Sequence, residues 1–572
     1  MAKLTPLSLR LRMMSAEAKH GAKESPMPMS ENTVLRKTVQ LLLAALLLFT
    51  AACNPRQPQQ MELWYWHHTY LATDAEVTKS KALIDRAAKA GYTGMALWDS
   101  SWTFLSMPNW PDANVRRLKA IVDYATARGL RVMPVVAAYG HSNDVLKQHP
   151  DYAEGQRVIG STFRVDDTGR QLTQLPSLDE HPDFSPRPLL VIDINVTPWR
   201  QYHVHLNLQT QSFKGIAQLE INDGRASRLD ANLHPPPTQQ PLALDYTFNS
   251  AASHKVRIQA GAFGPHEGSL TVTQFAVQET ALVYVIRRSG TPLRLYDAQR
   301  EYTEGPDFNP IHDRKLLTTP EFSNDNFHDP GPITLPATTR LRAGQTVQLD
   351  YYAVVPVYDE AVSVCLTDPA IERWMVDNTR ASAALAPPGS PLLLSHDEIR
   401  QMNSCAECRA RQLTAGMLLA QHIASLTAKL APLGPLYIWS DMFDPHHNAI
   451  ANLYQVEGTI AGSWKGLPRE VTIMNWNLDH LHNSLLWFSG DDPAQPTPHR
   501  QIIAGFYDPA DHDAAAAVRK EWQAARSIPG IAGTMYTTWV DDYSQLEPFA
   551  QAAKEEWVKY RATSPLTRFN FR

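Results

Sequence analysis

Glu62-Leu63-Trp64-Tyr65-Trp66, the segment Asp74 to Ala90, Gly94-Met95-Ala96-Leu97-Trp98, the segment Asp112 to Arg128, and Leu130-Arg131-Val132-Met133-Pro134-Val135-Val136 follow one another in a single run. This run decides the fold. The first, third and fifth segments are short apolar stretches of strand length. The second carries Val77, Leu83, Ile84, Ala87 and Ala88 at helical spacing, opens on a Thr73-Asp74 cap and stops at Gly91. The fourth is a second helical segment, stopped by Gly129. Strand, helix, strand, helix, strand predicts βαβ units and a parallel sheet.

The same rhythm returns after Val355. Asp368 to Leu385 reads as a helix and Leu392-Leu393-Leu394 as a strand, and Ala410 to Leu430 comes next as a long helix. Further strands are expected at Leu436-Tyr437-Ile438-Trp439, Val471 to Met474, Gln501 to Phe506 and Ile531 to Tyr536, with a closing helix from Gln545 to Tyr560. Counting the first three, there are eight strands, the number of a (β/α)8 TIM barrel. Between them the helical period disappears. Short alternating segments separated by Gly, Pro, Asn and Asp predict a β-sandwich domain inserted after strand three. The expected division is barrel 61–185, sandwich 186–356, barrel 357–560 and a tail at 561–572.

The first residues read as export machinery. Arg36-Lys37 precede the apolar run Leu41 to Phe49, and Thr50-Ala51-Ala52 lead to Cys53. A charged start, an apolar core too short to span a bilayer and small residues before a cysteine resemble a bacterial lipoprotein signal covering residues 1–53. Cys53 is then the lipidated first residue, and a start at Met29 gives such a signal its ordinary length. Residues 54–60, Asn-Pro-Arg-Gln-Pro-Gln-Gln, read as a polar tether. Asn54 after the cysteine directs the expectation to an exported lipoprotein anchored in the outer membrane. The net charge of −5, without a basic cluster, speaks against a nucleic-acid partner.

In a (β/α)8 barrel the active site lies at the C-terminal strand ends. Polar and aromatic residues collect there: His67 and His68, Trp98 and Asp99, Tyr139 and His141, His396-Asp397-Glu398, Trp439 and Asp441, Asn475-Trp476, and Tyr536, Trp539, Asp541 and Asp542. Carboxylates among Trp and Tyr suit sugar cleavage, with acids for proton transfer and aromatic faces for stacking. Two motifs resemble glycoside hydrolase family 20, the β-N-acetylhexosaminidases and their relatives. One runs from Val132-Met133-Pro134 through Tyr139-Gly140-His141-Ser142 to His149-Pro150-Asp151-Tyr152-Ala153-Glu154-Gly155. The other is His396-Asp397-Glu398.

The resemblance implies Glu398 as general acid/base and Asp397 as the carboxylate orienting a substrate acetamido group. It also implies His141 in the catalytic network, Trp476 and Trp539 as sugar-walling aromatics, and no cofactor. Trp98, Asp99, Trp439, Asp441, Tyr536 and Asp541 complete the expected substrate-binding set. The first strand ends in Trp64-Tyr65-Trp66-His67-His68 where that family carries an Arg, and Ser395-His396 stand where it carries two glycines. A non-amino sugar therefore stays open, with Asp441 or Asp541 as second carboxylate, as does a non-catalytic glycan-binding lipoprotein. Cys405-Ala406-Glu407-Cys408 lacks a second pair at metal spacing, so a local disulfide or two quiet thiols and no metal are expected. His67-His68 and His446-His447 are read as substrate-loop or surface residues.

Overall fold

The computed structural model describes residues 60–563, apart from 107–109, 181, 183, 223–228, 234–241, 319–321, 323–326, 358–360 and 509–512. The expected lipoprotein signal with Cys53, nearly all of the expected tether and the end of the tail lie outside the described residues. Among those described, no helix is long and apolar enough to cross a membrane.

Eight parallel strands close into a barrel: β1 (Glu62–His68), β2 (Gly94–Trp98), β3 (Arg131–Val136), β4 (Leu392–Leu394), β5 (Leu436–Trp439), β6 (Thr472–Asn475), β7 (Gln501–Ile503) and β8 (Ile531–Tyr536). These are the eight strands read from the sequence, and the (β/α)8 TIM barrel is the fold. Closure is made by β8 against β1, with Leu63 opposite Thr534. The helices form where local signals place them. In α1 (Asp74–Ala90) the Thr73 hydroxyl accepts from the Glu76 N–H, and Gly91 ends the helix at φ 83°. Helix α2 (Asp112–Ala127) comes after β2. In α3 (Pro369–Leu385) Asp368 caps the first turn and Pro369 occupies a position whose N–H has no helical partner. The long helix expected from Ala410 is a short one (Ala406–Ala410) followed by α4 (Ala415–Leu430), which opens on its own Thr414 cap.

Trp64, Trp66, Met133, Leu393, Tyr437, Trp439, Met474 and Met535 fill the barrel interior. The helix layer packs on the outside, where Ile84, Leu118, Val518, Trp522 and Phe549 share a core with Leu63, Tyr65 and Tyr536. Glu62 closes the bottom. It pairs with Arg500 and Arg131 and accepts from the Tyr437 hydroxyl (2.9 Å) and the Trp64 indole N–H (2.8 Å).

The chain between β3 and β4 builds two antiparallel sheet systems. The larger rests on two long strands, Gln201–Asn222 and Lys255–Thr280, paired along almost their whole length. Their register shifts between Phe263 and Ser269. There Gly268 has φ 74°, and a Cβ on it would lie 2.3 Å from the Ser212 carbonyl oxygen. Leu190, Ile194 and Ile258 on one side of this shift share a core with Tyr202, Leu244 and Phe275 on the other, so the sheet folds over on itself. The second system joins Gln156–Val165, Gln171–Gln174, Arg294–Tyr296, Glu301–Tyr302, Ile333–Thr334 and Thr346–Ala353 around a separate core. Its first strands fall inside the stretch expected to be barrel. The burial alternation of Gln156–Val165, visible only in the folded chain, shows why they belong to a sheet with one solvent face. The barrel is undisturbed because the chain leaves and returns at one place: Ala153 bridges to Val364, and β3 still pairs with β4 at Leu393–Val135.

Candidate active site

The end of β4 carries the site. After Leu394 the chain turns sharply, and Glu398 adopts φ 48°, a left-handed backbone that a side-chain-bearing residue rarely takes without support. That support is Asp441, just past β5, whose Oδ2 accepts the Glu398 N–H at 2.8 Å. Asp441 is fully buried and also accepts from Asn448 Nδ2 (2.9 Å) and the Trp476 indole (3.2 Å). Burial pushes its carboxyl up to about 6, although the nearby His447 works the other way.

Glu398 Oε2 accepts from Arg400 Nη2 at 2.7 Å and lies 2.9 Å from His141 Nε2. Arg400 is 2% exposed. Burial alone would raise the Glu398 pKa; the His141 and Arg400 contacts outweigh it and pull the carboxyl down to about 2. The His141 side chain is 45% exposed, so its partial burial depresses it only in part, and the bond to Glu398 and the charge of Asp397 raise its pKa above the ordinary histidine value. Asp397 accepts from the Ser395 hydroxyl (2.9 Å) and has Oδ2 3.9 Å from His141 Nε2. One imidazole therefore faces both carboxylates. Gly140, beside His141, is there for close approach: a Cβ would stand 1.7 Å from the Asp397 carbonyl oxygen.

Aromatic residues surround the rest of the mouth. Trp66, Trp439 and Trp539 form a cluster with ring centroids 5.4 to 6.3 Å apart. Trp439 is buried, whereas Trp539 is 47% exposed and presents a face to solvent. His447 packs on Trp476 at 4.5 Å. His68 packs on Trp98 at 4.6 Å, and its ring lies 3.5 Å from the exposed Asp541.

The structure thus brings together His141, Glu398, Asp441 and Trp476 in one hydrogen-bonded group, with Asp397 beside it at ion-pair distance from His141. Trp439 and Trp539 form a second group, and Trp98 and Asp541 a third. Asp99 and Tyr536 stand apart. Asp99 is buried and caps a short helix, accepting from the Leu71 and Ser101 N–H groups. Tyr536 is buried in the barrel–helix layer, stacked on Tyr507, with its hydroxyl donating to the Asp542 carbonyl. His67, Tyr139 and His396 are core residues; the His396 ring meets His422 Nε2 to Nε2 at 3.1 Å, so one ring donates and the other accepts. Sequence reasoning missed Arg400, Trp66, Asn448 and the role of His447. A signal for Arg400 was present: a cation two residues past a carboxylate in one apolar-flanked turn.

Away from the mouth, Glu154, Cys365, Cys405 and Cys408 gather within 4.8 Å of one another, all buried. The three cysteines are unbridged. Cys365 is far from the Cys405–Cys408 pair in sequence, which is why spacing did not reveal it.

The fold and site define a (β/α)8 barrel with a carboxylate–imidazole–guanidinium group at the C-terminal end of its strands. No family model matches the chain, and no curated protein matches it. Among solved structures the chain is similar to a β-N-acetylhexosaminidase (11% identity, 90% of this chain, 74% of that chain, TM-score 0.38). It is also similar to the family 20 β-N-acetylhexosaminidase of Streptomyces coelicolor A3(2) (12%, 90% and 66%, TM-score 0.34). A third is the Flavobacterium johnsoniae chitobiase (10%, 89% and 49%, TM-score 0.37). At these scores the fold rests on the closed barrel itself, and the chemistry on the residues at its mouth.

Proposed function

We propose that the chain is a glycoside hydrolase, with Glu398 as general acid/base and Asp397 orienting the acetamido group of an N-acetylhexosaminide substrate. The observation that carries this reading is the approach of His141 to both carboxylates, 2.9 Å from Glu398 and 3.9 Å from Asp397. Glu398 starts as a carboxylate held by two cations. His141 places a proton 2.9 Å from it. A sugar seated on Trp539 excludes water from this ion pair, and low dielectric favours its uncharged form, imidazole with carboxylic acid. The proton then sits on Glu398, ready for the glycosidic oxygen. Asp397 stays charged beside Ser395 and accepts the acetamido N–H, which aims the acetamido oxygen at the anomeric carbon.

Asp441 is a positioning residue in this scheme. It is fully buried beneath the Glu398 backbone, which speaks against its serving as the second carboxylate of a non-amino-sugar hydrolase. We further propose a lipid-anchored, exported setting, from the Leu41–Cys53 segment; palmitate labelling of the wild type and Cys53→Ser tests it.

The enzymatic test is hydrolysis of a panel of nitrophenyl glycosides by the full chain and Glu398→Gln. Release from N-acetylhexosaminides, lost in the variant, supports the proposal. Release from plain hexosides alone overturns the role of Asp397. Glycan binding without turnover replaces the enzyme with a binding protein, a reading favoured by the tight hold of Arg400 on Glu398.

A further inference from the structure

We propose that Cys365, Cys405, Cys408 and Glu154 form a closed, tetrahedral binding site for one zinc ion, structural in role, which pins the entry and exit of the inserted sheets to the loop behind Glu398. The distances are those of a mononuclear site. Zinc–sulfur bonds of about 2.3 Å at tetrahedral angles put sulfurs about 3.8 Å apart. Cys365 Sγ lies 3.7 Å from Cys405 Sγ and 3.6 Å from Cys408 Sγ. A thiolate and a carboxylate oxygen on the same zinc stand about 3.5 Å apart; Cys408 Sγ and Glu154 Oε2 stand at 3.6 Å. A disulfide needs a single sulfur pair at about 2.0 Å and leaves the third thiol without a role. An iron–sulfur cluster spreads its thiolates over separate irons, and these sulfurs are too close for that.

The surroundings are built for the ion. Glu154 is 1% exposed. Its Oε1 accepts from the Ser404 N–H (2.8 Å), the Cys405 N–H (2.9 Å) and the Ser404 hydroxyl (3.1 Å), which fixes the carboxylate. That leaves Oε2 facing the sulfurs, and a buried carboxylate oxygen among thiols calls for a cation. The Cys408 N–H donates to Cys405 Sγ at 3.5 Å, and Thr367 Oγ1 lies 3.1 Å from Cys408 Sγ. These outer contacts orient ligands and spread thiolate charge. Arg288 lies beside the group, with its Nη2 on the Ala153 carbonyl (3.3 Å), and offsets the excess negative charge of three thiolates and a carboxylate on a divalent ion. Thiolates select a soft or borderline metal, and four protein ligands leave no open position, which is the pattern of structural zinc.

Binding takes three thiol protons into solution, so retention weakens as pH falls. The placement explains the benefit. Glu154 stands where the chain leaves the barrel, Cys365 where it returns, and Cys405 and Cys408 at the cap and within the short helix Ala406–Ala410 that follows Arg400. One ion joins all three.

The test uses the full chain purified without chelator. Plasma mass spectrometry should find about one zinc per chain. After exchange, Co²⁺ should give the intense visible bands and sulfur charge-transfer absorption of a tetrahedral thiolate site. Cys365→Ser should lose bound zinc and the charge-transfer intensity, and Glu154→Gln should change the Co²⁺ spectrum. A wild-type chain that carries no metal and does not take up Co²⁺ overturns the proposal. So does a disulfide between any two of the three cysteines by intact mass. If the variants fail to fold, the wild-type metal content and Co²⁺ spectrum still decide. None of these readouts needs turnover, so the site stands or falls apart from the hydrolase reading.

Discussion

Replacing Glu398 by Gln removes the anion on which His141 and Arg400 converge, and the geometry of that clamp sets the cost. The ordinary glutamate value of 4.5 is pulled down to about 2 in the folded chain. At about 1.4 kcal/mol per unit this is a stabilisation of about 3 kcal/mol, for a side chain that is largely buried. The folded pKa lies below the unfolded one, so the contribution is complete above about pH 4.5 and is lost as pH falls through about 2. Glu398→Gln should therefore unfold more easily than the wild type by about 3 kcal/mol at pH 7, with Arg400 left as a buried cation without its anion. The difference should shrink below about pH 4.5 as wild-type Glu398 protonates. The same substitution takes away the bond that raises His141, so its imidazole should titrate at lower pH in the variant. Urea denaturation between pH 7 and pH 3 and an NMR titration of His141 measure both. A stability difference independent of pH, together with an unmoved His141, would refute the clamp on which proton sharing between His141 and Glu398 depends.

Three other outcomes are expected. Gly140→Ala pushes a methyl group into the Asp397 carbonyl; it should cost about 1–3 kcal/mol by overpacking and, through a displacement of the order of 1 Å, about a hundredfold in kcat, checked by thermal denaturation and glycoside kinetics. Glu521, held by the Tyr507 hydroxyl at 2.8 Å, is pushed by burial up to about 7. A raised carboxyl favours the folded state below its unfolded value, so that contribution is lost as pH rises from about 4.5 to about 7, and Glu521→Gln should flatten stability across that window in pH-dependent denaturation. Glu62→Gln leaves Arg500 and Arg131 without their anion under the barrel; a loss of about 2 kcal/mol in chemical denaturation is expected, at the modest end because both arginines reach solvent.

The barrel was legible in the amino-acid order alone. Helix starts such as Thr73 and Asp368, stops such as Gly91, and buried apolar runs at β1 to β8 are local signals, and local energetics are enough to place elements of that length, whereas the break at Thr414 was not read. The gathering of Asp397, Glu398 and His141 at the barrel mouth was legible too, because each follows the C-terminal end of a barrel strand in the sequence. Contacts between residues distant in the chain, or set by side-chain direction, came only with the folded chain. Asp99 and Tyr536 lie at barrel strand ends yet turn into a helix cap and the helix layer, because a shift of one residue on a strand reverses the face. Asp441 became the buried support of Glu398, and Arg400 its partner, through a left-handed turn that composition does not announce. The sheets beginning at Gln156, and the meeting of Cys365 with Cys405 and Cys408, depend on where the inserted chain leaves and re-enters the barrel. Such proximity comes from closing long loops over a shared core, and periodicity along the chain carries no record of it.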